Sequence, residues 1–397
     1  VKALMFSWEY PPNMVGGLGQ HVYDLSRFLA RKGLTVHLIT PRVKGTPDYE
    51  KDSGVYIHRV GSPAGDEGNF KSWTFTFNSE AIREAVRINA SIGGFDLVHA
   101  HDWLVAYAGR AVTKIFELPL VTTIHATEHG RNLGLHNRMQ NEINEIEKNL
   151  ALEAERIICC SSYMKDEICS LFGPFTNDVT VIPNGVEQEQ FMKLPGKPKL
   201  KIAADDKVVF FIGRLVPEKG LWQLIKAFPQ VLYQVPDAKL VIGGKGPIKS
   251  TLEKAALELG INNRIIYTGF IKEETRNYLY HRAQVAVFPS LYEPFGIVAL
   301  EAMATNTPVI VSDVGGLSEI VQDGVNGIKV KPGSIDELAD AIIKVLTDEN
   351  LAARLKKNGT QTIESIYSWD VIADSTINVY HQVLKKSRRH LTNKEDV

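Results

Sequence analysis

The chain has 397 residues, 44% of them hydrophobic, with 45 Lys plus Arg against 46 Asp plus Glu. That length exceeds one ordinary core and predicts two or three domains. A net charge of −1 excludes a global field drawing the protein to nucleic acid or an anionic membrane, so any anion recognition is local. Cys159, Cys160 and Cys169 lack metal-ligand spacing and read as core thiols of a reducing compartment. No apolar run approaches membrane-spanning length, and the first residues enter a strand with no basic, hydrophobic leader. The expected location is the cytoplasm.

Residues 3–8 read as an apolar strand, followed by the glycine turn Gly16-Gly17-Leu18-Gly19 and an amphipathic helix over 21–32. Strand, glycine turn and helix begin a Rossmann-like unit, although the turn lacks the dinucleotide spacing Gly-x-Gly-x-x-Gly. A strand over 35–40 leads into a polar excursion. The strand over 96–100 delivers His101-Asp102-Trp103 ahead of a helix over 104–116, and the strand over 120–124 delivers His125. In a parallel sheet the strand ends at Trp8, Ala100 and Ile124 share one edge, the expected wall of a cleft. A helix over 141–155, a strand over 156–160, a helix over 162–171 and the segment 179–186 close this half.

Residues 193–207, rich in Pro, Lys and Asp, read as an interdomain linker. Strands over 208–212, 239–242, 264–267, 284–288, 308–312 and 327–330 then alternate with helices, and a last helix covers 368–386. The predicted fold is α/β, with two Rossmann-like domains (1–192 and 208–367) facing a cleft and a C-terminal segment (368–397) packing back on the first domain.

The second half carries the chemistry. Glu293 and Glu301 lie in Pro289-Ser-Leu-Tyr-Glu-Pro-Phe-Gly-Ile-Val-Ala-Leu-Glu-Ala-Met303, where residues 297–304 are apolar on every side except at Glu301. A helix apolar all round is a buried one, and a buried carboxylate needs a partner, so Glu301 is either a ligand contact or an internal salt bridge. The turn Pro294-Phe295-Gly296 leaves helix-start amides facing out, a setting suited to phosphate. Gly213-Arg214-Leu-Val-Pro-Glu-Lys219 brings two cations to a proline turn before a helix, either a diphosphate clamp or a pair of surface cations. Gly243-Gly-Lys-Gly-Pro247 reads as a structural turn, and Gly269-Phe270-Ile271 as a strand end offering backbone groups to a nucleobase.

These residues resemble the GT-B glycosyltransferases of family 4, retaining nucleotide-sugar enzymes, over nearly the whole chain; the most specific match is Glu293-Pro-Phe-Gly-Ile-Val-Ala-Leu-Glu301, the family's two-glutamate motif. The resemblance implies that Arg214 and Lys219 bind the donor diphosphate, Glu301 the ribose and Glu293 the sugar hydroxyls. It also implies that the backbone of Phe295, Gly296 and Ile297 meets phosphate and sugar, with Gly16 and Gly17 closing from the other domain. His99-Ala-His101-Asp102-Trp103 looks like the glycogen and starch synthase branch, with Met14 standing where family 5 synthases have lysine. On this resemblance His125 is the catalytic histidine candidate, against the alternative of a core histidine bonded to backbone.

The absence of any Asp-x-Asp argues against a metal-bound diphosphate, because Arg214, Lys219 and helix amides can supply the charge. A glycoside hydrolase would use the two glutamates but leave the phosphate-type features idle. An epimerase or a silent sugar-binding module shares the scaffold without the transfer. The expectation is therefore a hexosyltransferase using ADP- or UDP-glucose, with no metal or other cofactor. Its expected acceptor is an α-glucan or small sugar, held by His101, Asp102 and Trp103, and neither nucleic acid nor a stable membrane association is expected. The helix over 104–116 carries only Arg110 and Lys114, and the basic run Lys385-Lys386-Ser387-Arg388-Arg389 reads as solvated tail.

Overall fold

The computed structural model describes residues 1–14, 16–62, 70–173, 179–192, 196 and 198–395. Two compact units emerge: Val1–Asn184 with Trp369–Val397, and Gly185–Ser368. The first is built on β1 (Lys2–Phe6), β2 (Thr35–Pro41), β3 (Tyr49–Asp52), β4 (Val55–Val60), β5 (Leu97–His101), β6 (Leu120–Ile124), β7 (Arg156–Cys159) and β8 (Val179–Val181). Their spatial order is β3-β4-β2-β1-β5-β6-β7-β8, parallel throughout except for the antiparallel β3–β4 pair.

The apolar run of β1 fits a central parallel strand buried on both faces. Ala3 and Met5 join the core under the helices Gly17–Arg31 and Trp369–Glu395, whereas Leu4 and Phe6 join the core under Phe70–Ile92 and Ala106–Phe116. The period-two alternation of a strand thus serves two helical layers at once. The last helix contributes Trp369, Ile372, Tyr380 and Val383 to the first of these cores. It runs on to Glu395, beyond the expected 386; the side chains of Arg388 and Arg389 lie outside the described residues.

The expected polar excursion after β2 is richly structured. It holds the β3–β4 hairpin and the 23-residue helix Phe70–Ile92. Polar residues hide that helix in the sequence, because Thr74 and Asn78 lie on its buried face. Asn78 Nδ2 donates to the Leu104 carbonyl and its Oδ1 accepts from the Ala108 N–H, which satisfies the buried amide while pinning the next helix.

The second unit is a six-stranded parallel sheet of β9 (Lys207–Ile212), β10 (Ala238–Gly243), β11 (Ile265–Gly269), β12 (Val285–Phe288), β13 (Val309–Ser312) and β14 (Ile328–Val330). The order β11-β10-β9-β12-β13-β14 reverses direction between β9 and β12. In such doubly wound sheets ligands bind outside the carboxyl ends of the strands at that reversal. The linker expected at 193–207 needs correction. The chain leaves the first unit at Asn184, before the polar stretch. Val186 already bridges Ser368 and donates its N–H to the Tyr367 carbonyl, while the carbonyls of Gln190 and Phe191 accept from Asn277 and bond His281. Backbone pairing, rather than composition, assigns 185–192 to the second unit; residues 193–195 and 197 lie outside the described residues.

Candidate active site

In the second unit, the chain leaves β9 into Gly213-Arg214 and leaves β12 into Pro289-Ser290, so both segments start at the reversal point. Gly220 follows the short 3-10 turn Pro217–Lys219 with φ +67, and a Cβ there would lie 1.8 Å from the Pro289 carbonyl oxygen. The Glu218 carbonyl accepts the Leu291 N–H at 2.7 Å, locking the two loops together. Lys219 is thereby delivered to Glu293, with Nζ 2.6 Å from Oε2, and Ser290 Oγ donates to the same oxygen at 3.3 Å. Glu293 is buried. Arg214 is half exposed and reaches Glu218 at 3.2 Å.

The helix Ile297–Ala304 begins at Gly296 with no side-chain cap bond. No capping side chain covers its first amides, where the dipole favours an anion. Glu301 on this helix is held inside the unit: Arg276 Nη1 donates to Oε1 at 3.0 Å and the Tyr280 hydroxyl to Oε2 at 2.8 Å. Of the two expected roles, an internal pair is therefore present, and burial with this carboxylate beside it pushes the Tyr280 phenol well above its ordinary range. Arg276 and Tyr280 escaped the sequence reading, although their spacing puts them on one face of the helix Glu273–Arg282. The turn after β10 is structural as expected, since Gly244 backs so closely on Gly213 that a Cβ would lie 1.9 Å from its carbonyl oxygen. Ile271 packs within reach of Gly243, its Cδ1 3.1 Å from where a Cβ would stand.

In the first unit β1, β5 and β6 are neighbours, so Trp8, His101 and His125 do arise at one sheet edge. Gly16 donates its N–H to Glu9 Oε2 at 2.9 Å, and Gly17 opens the helix to Arg31 with no side-chain cap. That helix carries His21, a residue the sequence reading passed over. His21 Nδ1 lies 2.5 Å from Asn184 Oδ1, and its ring is 4.7 Å from that of His125, centroid to centroid. His101 Nδ1 is 3.2 Å from His125 Nε2; His99 is bonded to the Tyr380 hydroxyl and Thr123 Oγ1, both at 2.7 Å.

Asp102 has a positive φ of 62, and its carboxylate accepts the His125 backbone N–H at 2.7 Å and meets Arg131 at 3.3 Å. It fixes the His125 loop. Trp103 departs from expectation: its ring packs with Trp73, Leu104 and Ile143 in a buried cluster, so its apolar face is spent on the core and is no sugar platform. Arg110 and Lys114 share one carboxylate, Glu153, so the helix keeps a single net positive charge from the three groups. No described helix is long and apolar enough to cross a membrane.

Burial dominates the electrostatics of the first unit. It holds His21, His99 and His101 well below the ordinary imidazole range, His125 at about 3, His37 at about 4 and His58 below 6.5. It raises Asp102 to about 6 and Glu147, whose oxygens both take the Glu128 N–H, to about 8. The signs oppose. Below pH 6.5 the unfolded chain binds protons that the native histidines refuse, so their stability contribution is full above 6.5 and fades on acidification. The two raised carboxyls gain stability as pH falls through 8 and 6. Six groups outweigh two, and the melting temperature is expected to drop between pH 7 and pH 4.5, with a shallower slope in His99→Gln. A flat or rising profile by calorimetry contradicts this balance.

Two doubly wound units, a lysine paired with a buried glutamate at the reversal of the second sheet, and a helix start open to an anion fit a glycosyltransferase of the GT-B class. Known proteins agree. The family profile Glycosyltransferase Family 4 matches residues 15–190, and Glycosyl transferases group 1 matches residues 195–362. An uncharacterized glycosyltransferase of Methanocaldococcus jannaschii is 38% identical, over 96% of this chain and 98% of the relative. Glycogen synthase of Mycobacterium tuberculosis is 35% identical, over 96% and 94%. The solved structure of sucrose-phosphate synthase from Thermosynechococcus elongatus superposes with a TM-score of 0.84 at 25% identity, covering 97% of this chain and 99% of the other. The chain belongs to glycosyltransferase family 4, in its glycogen synthase-like branch. Its activity class is hexosyl transfer from a nucleotide-sugar.

Proposed function

We propose that the enzyme moves a glucosyl unit, with retention, from ADP- or UDP-glucose to an α-glucan or another sugar acceptor. The observation that carries this reading is the Lys219–Glu293 pair, 2.6 Å apart at the reversal of the second sheet, with Arg214 half exposed on the same loop as Lys219 and paired with Glu218. Arg214 and Lys219 take the donor diphosphate, and the backbone of Phe295, Gly296 and Ile297 adds helix-start amides, so charge on the leaving group is met without a metal on the diphosphate. Glu293 bonds sugar hydroxyls, Glu301 with Arg276 the ribose, and the backbone near Ile271 the base; the Gly16-Gly17 turn keeps the donor-side role given by the family resemblance.

The anomeric carbon–oxygen bond to the diphosphate breaks, the acceptor hydroxyl oxygen bonds that carbon on the same face, and the acceptor proton passes to the departing diphosphate. Burial keeps the His125 imidazole neutral down to about pH 3. A base that weak suits hydrogen bonding to a sugar hydroxyl better than proton abstraction. Asp102 and His101 position the His125 loop. The pairing of Arg110 and Lys114 with Glu153 leaves too little positive charge on that helix for a headgroup-binding face, which favours a soluble acceptor, and the three free thiols fit a cytoplasmic location.

The likeness to sucrose-phosphate synthase supports a second reading, in which the acceptor is a small phosphorylated sugar. A panel of UDP-, ADP- and GDP-glucose with maltooligosaccharides, glycogen and hexose phosphates separates the two. Elongation of glucan with the α-anomer in the product is expected. Transfer only to hexose phosphates selects the second reading, and inversion at the anomeric carbon overturns the retaining step.

A further inference from the structure

Three histidines from separate elements converge in the first unit. His21 comes from the helix Gly17–Arg31, His101 from the end of β5 and His125 from the residue after β6. One nitrogen from each ring lies within 4.8 Å of the others, with His21 and His101 buried and His125 partly exposed. A protein interior rarely gathers three imidazoles without engaging their nitrogens. Here His21 Nε2 is buried with no hydrogen-bond partner among the described residues.

We propose that His21, His101 and His125 form a site for a divalent d-block cation of the Zn²⁺ type, and that its occupation inhibits sugar transfer. Three arguments support it. The donor set is three imidazoles and nothing else, a nitrogen set that suits borderline d-block cations. Tetrahedral zinc with Zn–N bonds near 2.0–2.1 Å separates its ligand nitrogens by about 3.3 Å. His101 Nδ1 and His125 Nε2 already stand 3.2 Å apart, and a nitrogen of His21 completes a group whose members all lie within 4.8 Å of one another. His21 Nδ1 is held on Asn184 Oδ1 at 2.5 Å, which fixes the proton on Nδ1 and leaves Nε2 a lone pair; ligating histidines are oriented in this way by a partner on the far nitrogen.

Three protein ligands leave a fourth position open to water, and partly exposed His125 supplies the route in. Asp102 grips the His125 main chain rather than its ring, and the ring's Nε2 faces His101 Nδ1, the neighbour with which it would share the cation. The inhibition claim rests also on the proposed contact between His125 and a sugar hydroxyl, which the cation would take away.

The test uses the full chain, stripped with a chelator and titrated with Zn²⁺ by calorimetry, then with Co²⁺ followed by visible absorption. One equivalent of Zn²⁺ and Co²⁺ bands of a four- or five-coordinate nitrogen site are expected. Asn184→Ala should weaken Zn²⁺ by about 10- to 100-fold by loosening His21, and His21→Gln should abolish stoichiometric binding. No binding by the wild-type chain overturns the proposal, as does unchanged affinity in a folded His21→Gln. Should that variant not fold, zinc-edge anomalous scattering from wild-type crystals decides: a peak between the three rings supports the site, and a peak elsewhere overturns it. Transfer assays with chelator and with Zn²⁺ read inhibition separately. Stoichiometric binding without loss of transfer keeps the metal site and overturns the inhibition and, with it, the assigned role of His125.

Discussion

Lys219→Ala is expected to lower kcat on the order of a hundredfold or more, while KM for the nucleotide-sugar changes far less. As the glycosidic bond breaks, negative charge gathers on the diphosphate, and only contacts that strengthen with that charge raise turnover. Lys219 is the better placed of the two cations: its side chain is mostly buried against Glu293, whereas Arg214 is half exposed and shared with Glu218. Less water around Lys219 means weaker screening. Removal also strands the buried Glu293 carboxylate, so part of the loss is misplacement of the sugar-binding group. A double-mutant cycle with Glu293→Gln separates the two effects, since residues in contact couple by about 0.5–3 kcal/mol. Near wild-type kcat with only a raised KM reduces Lys219 to uniform binding and ends the charge argument.

The second large effect is on folding. Gly220→Ala places a Cβ 1.8 Å from the Pro289 carbonyl oxygen, and both partners are backbone, so neither can rotate away. The Glu218–Leu291 hydrogen bond ties the loops at the same point. A loss of about 3 kcal/mol or more is expected, combining left-handed strain with overlap. For a unit of this size that is roughly 6 to 12 °C in Tm. Gly324 supplies the control: it has the same φ of +67 but nothing within 4 Å of its Cβ position. Gly324→Ala should show the strain alone, and equal shifts in the two variants remove the contact from the explanation. Because Gly220 seats Lys219 beside Glu293, activity in Gly220→Ala should fall even at temperatures where the protein stays folded.

Local chemistry made part of this architecture readable from residues alone. β1, β5, β6 and β12 are apolar runs bounded by turn residues, and their carboxyl ends present the unusual side chains, so the placement of His101, His125 and Glu293 at sheet edges followed from strand and turn patterns. What stayed hidden depends on distant partners. Nothing local connects His21 to His125, which meet only because the sheet sets β1 beside β5 and β5 beside β6. Arg276 and Tyr280 look like ordinary polar helix residues until the apolar helix bearing Glu301 packs against them. Trp103, read as a sugar-binding face, shows the converse error: an aromatic next to a strand end was consumed by Trp73 and Ile143, contributed in part by a helix whose polar residues concealed it.

The return of the final helix makes the second unit an insertion within the first. Residues 185–368 are one uninterrupted length, whereas the other unit is sewn from two pieces, with Trp369 and Tyr380 completing a core begun at Ala3 and Met5. Recombination among relatives therefore has a natural cassette. Exchanging 185–368 as a block keeps His99 with its Tyr380 hydroxyl and Lys32 with Asp374. A single crossover at the composition break near 195 would graft a foreign last helix onto a native sheet, so chimeras joined there should be insoluble where two-junction chimeras are not.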